Sequence, residues 1–284
     1  MSEPIPVLRT LEEIRAQVKA WREAGEGVAL VPTMGALHEG HLELVRLARA
    51  RCRRAIVSIF VNPAQFAPNE DFDRYPRDEA GDLRKLACVG CDGVWSPQRA
   101  VMYPEGFATR IVPEGAAIGL ESDFRPHFFG GVATVCCKLF TQVGPDLAVF
   151  GEKDFQQLAV VRQMVRDLDL PLEILGAPTI READGLAMSS RNAYLSAEQR
   201  RVAPAIHRAI VEVAASVRSG VDPEAACASA RDTLLAGGFA KVDYVAVRNA
   251  TTLQVAAAGT PAEALRVLAA AWLGKTRLID NVSV

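Results

Sequence analysis

No stretch of this 284-residue chain reaches the roughly 18 consecutive apolar residues of a membrane span. The opening residues up to Thr10 are not followed by an apolar core of the kind that directs secretion. The expectation is a cytoplasmic protein with no membrane partner. An excess of one charge is also missing. With 32 basic and 34 acidic residues the net charge is −2, which gives no global pull toward nucleic acid or anionic lipid. Any anion site has to be built locally. Internal repeats, low-complexity tracts and long charge runs are absent, and 50% hydrophobic with 23% charged residues fits a folded globular chain rather than a disordered one. Its length allows one large or two modest domains.

Cysteine is present but poorly arranged for metal. Cys88 and Cys91 have C-x-x-C spacing, which raises a zinc or redox site. A zinc site needs a second well-placed pair, and the adjacent Cys136 and Cys137 make a poor one. Buried thiols acting as small hydrophobes are the better reading.

Periodicity organises the rest. Leu11, Ile14, Val18 and Trp21 recur at helical spacing over 11–24, and Val28–Val31 reads as a buried strand. A helix from Gly40 and a strand over 56–61 complete a βαβ unit. Further on come a short strand at 93–95, a helix over 131–143, a strand at 147–150, a helix over 155–168 and a strand at 172–175. That alternation predicts a Rossmann-like, doubly wound parallel α/β domain over 1–179. After it, helices at 197–219 and 223–236 and strands at 241–247, 265–271 and 276–283 predict a smaller C-terminal α+β domain over 180–284.

Four segments carry chemistry. His38-Glu39-Gly40-His41 holds two of only four histidines and sits between a strand and a helix. A helix start attracts phosphate through free N–H groups and its dipole, and two imidazoles there can donate to a phosphoryl group as charge builds on it. A pair of surface histidines is the plain alternative, and metal binding lacks a third ligand. Gly151-Glu152-Lys153-Asp154 follows a strand and precedes another helix: Lys153 can neutralise phosphate, and Asp154 can accept from a ribose or cap the helix. A solvated charged turn is the alternative. Met188-Ser189-Ser190-Arg191-Asn192 has the hydroxyls and guanidinium of a phosphate clamp, or is a polar loop. Asn62 and Gln65, in Phe60–Phe66, bring neutral directional amides to a strand end, which suit a hydroxy acid better than another phosphate.

In this order the segments closely resemble the pantoate–β-alanine ligase family. Met34 to His41 matches its M-G-x-L-H-x-G-H, Phe60 to Phe66 its F-V-N-P-x-Q-F, Gly151 to Gln157 its G-E-K-D-[YF]-Q-Q, and Asp184 to Arg191 its D-G-L-A-M-S-S-R. The closing Leu278-Ile279-Asp280-Asn281 is similar too. The resemblance implies ATP-driven condensation of pantoate with β-alanine through an acyl adenylate, with Mg²⁺, in a homodimer whose C-terminal domain closes over ATP. It implies an ATP site of Met34, Gly35, Ala36, Leu37, His38, Glu39, Gly40, His41, Gly151, Glu152, Lys153, Asp154, Ile180, Met188, Ser189, Ser190 and Arg191. His41 corresponds to the proton donor, with His38 and Lys153 assisting the chemistry, and Gln65 and Gln157 bind pantoate, Gln65 also lying near β-alanine. Asp82 is the nearest match to a magnesium-side carboxylate, although Gly81 precedes it here. The family commonly has R-P-x-H-F-x-G-V; here Arg125-Pro126-His127-Phe128-Phe129-Gly130-Gly131-Val132 puts the histidine one place early.

Three rival readings remain at this level. A nucleotidyltransferase that adenylylates a phosphate-bearing substrate should carry Arg or Lys where Asn62, Gln65 and Gln157 stand. A protein related to aminoacyl-tRNA synthetases shares H-x-G-H but should have a basic arm. An ATP-binding sensor needs no second-substrate amides.

Overall fold

The computed structural model describes residues 5–67, 72–257 and 259–284. In chain order its elements are β1 (Val7–Leu8), α1 (Leu11–Glu23), β2 (Val28–Thr33), α2 (Glu39–Arg51), β3 (Arg54–Ile59), α3 (Glu79–Cys88), β4 (Gly93–Trp95), α4 (Arg99–Met102), α5 (Glu121–Phe124), α6 (Phe128–Val143), β5 (Leu147–Gly151), α7 (Phe155–Asp167), β6 (Glu173–Ala177), α8 (Ala197–Val202), α9 (Ala205–Arg218), α10 (Pro223–Ala236), β7 (Lys241–Asn249), β8 (Leu265–Leu273) and β9 (Thr276–Ser283). They form two compact units. The first comprises Met1–Glu114, Arg125–Glu152 and Val160–Pro178; the second comprises Gly115–Phe124, Lys153–Ala159 and Thr179–Val284. Two short stretches from the N-terminal part of the chain thus belong with the C-terminal unit, a grouping that no single cut of the sequence expresses.

The first unit is a parallel sheet of order β1-β4-β3-β2-β5-β6. Its strands are continuous apolar runs because both faces are covered. Ala29, Val31, Ala55, Val57, Leu147 and Val149 pack with Leu42, Val45 and Ala48 of α2 and Leu86 of α3. Helices α1 and α6 pack on each other and on β2. A capping box starts α1: the Glu13 N–H donates to Thr10 Oγ1 at 3.2 Å and the Thr10 N–H donates to Glu13 Oε2 at 3.0 Å. This is the doubly wound sheet that the periodicity predicts, with β1 and α3 added.

Strand order reverses at β2, which lies between β3 and β5. Its pairing with β3 runs the whole length, from Val28 to Thr33. Pairing with β5 covers only Ala29 with Leu147 and Leu30 with Ala148. Pro32, which lacks an N–H, falls beyond that short ladder, where the strand needs no donor toward β5. The two carboxyl ends therefore part, and such a switch point is where open α/β sheets bind ligands.

In the second unit β7, β8 and β9 form an antiparallel sheet. Ile206, Ile210 and Val213 of α9 and Leu234 of α10 share a core with Val245, Val267 and Ala269 of the sheet. The helix expected over 197–219 is two helices, α8 and α9, because Pro204 has no N–H to continue the first. A bulge between Val242 and Tyr244 turns Asp243 out of the ladder. There it accepts from Arg277 Nε at 2.8 Å and Trp272 Nε1 at 2.9 Å, while Arg277 Nη1 donates to Glu121 at 2.8 Å, tying α5 to the sheet. Among the described residues no helix is long and apolar enough to cross a membrane.

The short 3₁₀ turn Pro63–Gln65 packs on α6 at Gly131, where an added Cβ would lie 2.3 Å from the Ala64 carbonyl oxygen. Glycine to alanine inside an exposed helix ordinarily gains about 1 kcal/mol. Here the sign reverses: Gly131→Ala should lose about 2 kcal/mol from overpacking against backbone. Urea unfolding of the variant measures it, and a stabilised Gly131→Ala would show that the turn does not rest on this residue.

Candidate active site

The loop leaving β2 is shaped by backbone constraints. Thr33 Oγ1 donates to the Ser58 carbonyl at 2.7 Å and accepts from the Gly35 N–H at 3.2 Å. Gly35 and Ala36 both have left-handed backbones, φ 82° and 51°. Glycine takes that conformation without penalty, whereas for alanine it costs about 1–2 kcal/mol. The compensation comes from Asp82 on α3. Its carboxylate, 1% exposed, accepts the Ala36 N–H at 2.9 Å and the Leu37 N–H at 2.8 Å. Hydrogen bonds to a charged acceptor contribute about 1.5–3 kcal/mol each, enough to hold the strained residue. Lys85 Nζ donates to the Leu37 carbonyl at 2.6 Å and lies 3.8 Å from Asp82. Burial raises the Asp82 carboxyl above its ordinary range, against the pull of the Leu37 amide, Lys85 and the Ala36 amide. Asp82 is therefore the clamp of this loop.

His38 is the N-cap of α2, and its N–H donates to Nδ1 of His41, three residues on, at 3.3 Å. With Nδ1 accepting, the proton of a neutral His41 ring resides on Nε2. The two rings lie 4.1 Å apart at 44°. Met34, Ala36 and Gly40 of the same loop and helix start are half-buried. Glu39 differs: it is exposed and accepts from Arg46 at 2.6 Å along the helix surface.

Gln65 and Asn62 are both buried, in the turn after β3. Asn62 Nδ2 donates to Gln65 Oε1 at 2.9 Å and to the Gly131 carbonyl at 3.1 Å. Arg125 Nη2 donates to the Gln65 carbonyl at 3.0 Å and its guanidinium stacks 3.9 Å from the Phe128 ring centre. His127, at the displaced position, is exposed.

In the second unit β9 brings two further motifs together. Asn281 Nδ2 donates to the Lys153 carbonyl at 2.9 Å. Next to it, Asp280 accepts from Arg181 Nη1 at 2.7 Å and Nη2 at 2.9 Å. Arg181 belongs to a tight hairpin in which the Met188 N–H donates to the Ile180 carbonyl at 3.0 Å. That hairpin leads into the 3₁₀ turn Ser190–Tyr194, capped by Ser189, whose Oγ accepts from the Arg191 N–H at 3.3 Å. Lys153 is partly buried and lies 3.6 Å from Asp154. Burial pushes the Asp280 carboxyl up, but the nearby His207 ring, 3.5 Å away, and the two hydrogen bonds from Arg181 outweigh it and hold it below its ordinary range. Of the adjacent glutamines, Gln156 is the buried one. It accepts from the Glu121 N–H and donates to the Ala116 and Gly119 carbonyls, each at 3.1 Å, while Gln157 is half-buried.

From the sequence no role follows for Tyr103, Gln156 or Arg181, nor does the clamp function of Asp82; only the family-like stretch Leu278–Asn281 gave a signal. Among the described residues no three of His, Cys, Asp and Glu come together as metal ligands. All six cysteines are free thiols. Cys91 is buried, donating to the Gly93 carbonyl at 3.2 Å, and burial pushes it up to about 11, as suits an inert packing thiol.

A family model described as pantoate-beta-alanine ligase matches residues 6–283. Pantothenate synthetase of Caulobacter vibrioides is 57% identical over 285 aligned residues, covering all of both chains, and that of Mesorhizobium japonicum is 58% identical over all of this chain and 99% of its own. The chain belongs to the pantoate–β-alanine ligase family. Among solved structures, pantothenate synthetase from Thermus thermophilus superposes with a TM-score of 0.91 at 44% identity, over 98% of this chain and 99% of that one. The family's enzyme from Francisella tularensis, complexed with β-γ ATP and β-alanine, superposes with a TM-score of 0.83 at 31% identity, over 98% and 97%.

Two outcomes follow for these supports. Asp82→Asn replaces one acceptor oxygen by a donor facing two amide N–H groups and should lose about 2 kcal/mol, read as a lower urea midpoint. Asp280, held below its ordinary value near 3.9, contributes stability that is complete above that value and is lost as pH falls through its folded value. Asp280→Asn should lose about 3 kcal/mol near neutrality by stranding Arg181, and show a shallower acid loss than the parent in unfolding curves taken from about pH 4 downward, below the ordinary carboxyl value.

Proposed function

We propose that this enzyme condenses pantoate with β-alanine through a pantoyl adenylate, with ATP converted to AMP and pyrophosphate. One observation carries the reading: at the sheet's switch point, a clamped loop starts α2 with His41 held so that Nε2–H is its donor. The names of its relatives and the ligands of the Francisella enzyme point to the same substrates.

In the first step a pantoate carboxylate oxygen attacks the α-phosphorus, the bond to the bridging oxygen breaks, and pyrophosphate leaves with the electron pair. Phosphoryl transfer asks the protein for positioning and charge stabilisation rather than covalent chemistry. His41 Nε2–H, His38 and the N–H groups opening α2 serve the charge growing on the α-phosphoryl group. Lys153, Ser189, Ser190 and Arg191 serve the triphosphate. In the second step the neutral amine of β-alanine attacks the acyl carbon, the bond to the AMP oxygen breaks, and the nitrogen releases a proton. Gln65 and Gln157 hold pantoate. Buried neutral amides at Asn62 and Gln65 favour a hydroxy acid over a second phosphate, which weighs against a nucleotidyltransferase acting on a phosphorylated substrate.

Among the described residues no three candidate ligands gather as a metal site, and the Asp82 oxygens are engaged by two amides. On this reading Mg²⁺ would accompany ATP as part of the substrate, as the family resemblance implies. The same reading includes a homodimer working in the cytoplasm, on the strength of the family resemblance.

An assay of AMP formation should require ATP, pantoate and β-alanine together, whereas exchange of pyrophosphate into ATP should require pantoate and no amine. His41→Ala and Lys153→Ala should each slow that exchange by about 100-fold or more with the unfolding midpoint retained. Near-normal exchange in either folded variant contradicts the assignment, and exchange without pantoate contradicts the substrate.

A further inference from the structure

The amide of Asn62 has a determined orientation. Its Oδ1 accepts from the Ala64 N–H at 3.3 Å, and a backbone N–H can only donate. Its Nδ2 donates to the Gly131 carbonyl at 3.1 Å, and a carbonyl can only accept. The second Nδ2 hydrogen then meets Gln65 at 2.9 Å, so Gln65 must turn its own oxygen toward Asn62. Behind this pair stands Tyr103, whose hydroxyl donates to Asn62 Oδ1 at 2.7 Å, shorter than the other contacts of that amide. Tyr103 is itself braced between the rings of Phe60 and Phe107, with centres 6.2 and 5.2 Å away. Arg125 and Gly131 hold the backbone of the same turn.

We propose that Tyr103 is a positioning residue that acts through Asn62 to lock the Gln65 amide with its carbonyl inward and its NH₂ toward the substrate acid. It rests on the assignment of Gln65 to pantoate. The consequence is chemical: Nε2 only donates, so the pantoate atom that Gln65 recognises is an acceptor, a carboxylate or hydroxyl oxygen. Asn62, expected from the sequence to touch the acid, instead spends its amide on aligning Gln65. Tyrosine suits the relay because burial pushes its hydroxyl up to about 12, so it stays a proton donor across the working pH range.

The test is a double-mutant cycle read as the dissociation constant for pantoate, by calorimetry with a non-hydrolysable ATP analogue present. Tyr103→Phe removes one neutral hydrogen bond and should weaken pantoate about 5-fold, with the constant for the analogue unchanged. In a Gln65→Ala background the same change should add no more than about twofold, because the group being aligned is gone. Asn62→Asp breaks the relay one atom later, since a carboxylate cannot donate to Gln65, and should also weaken pantoate without touching the analogue. Equal loss from Tyr103→Phe in both backgrounds, or parallel loss for the analogue, overturns the proposal and makes Tyr103 a packing residue. Unchanged pantoate binding in Gln65→Ala removes the assignment of Gln65 and the proposal with it.

Discussion

Strands β2 and β5 are neighbours for only two residue pairs. Beyond Leu30 and Ala148 the ladder ends while both strands continue, so their backbone groups must find other partners. On the β2 side the chain leaves the sheet, and side chains hold the loop that carries the histidines. Thr33 takes the Ser58 carbonyl, and Asp82 takes the next two free N–H groups. The loop is thereby held in a conformation that alanine would not adopt alone. The helix that follows starts with its histidines in a defined relation.

The second unit applies the same principle with side chains. Asp280 and Asn281 stand side by side on β9, one binding the Arg181 hairpin and the other the Lys153 carbonyl. Two motifs that lie far apart in sequence are thus anchored to consecutive residues. Asp280 is fully enclosed, so its charge depends on the two bonds from Arg181, and loss of that partner leaves a desolvated, uncompensated anion. The desolvation of a buried ion pair offsets much of its Coulomb attraction, so removing one partner costs more than the pair contributes net.

Neutral groups do comparable work around Gln65. An amide has a donor end and an acceptor end that look alike in shape but not in chemistry. Backbone anchors at Ala64 and Gly131 remove the ambiguity for Asn62, and Asn62 passes the choice to Gln65. Arg125 contributes through the backbone of the turn and its stack on Phe128 rather than through His127, which explains why a shifted histidine leaves this corner intact.

The sequence by itself determined the doubly wound sheet, the strand–turn–helix placement of His38 to His41 and the family. Apolar runs, helical spacing and short motifs are local properties, readable without knowing what packs on them. Even there Pro204 divided a helix that periodicity alone had run together. The tertiary structure alone decided which polar groups support the site. Asp82 reads as a helix residue until it is seen under a loop 45 residues earlier, and Tyr103 reaches Asn62 across 41 residues. The partner of a buried hydrogen-bonding group is chosen by proximity in space, and spacing along the chain carries no record of that choice.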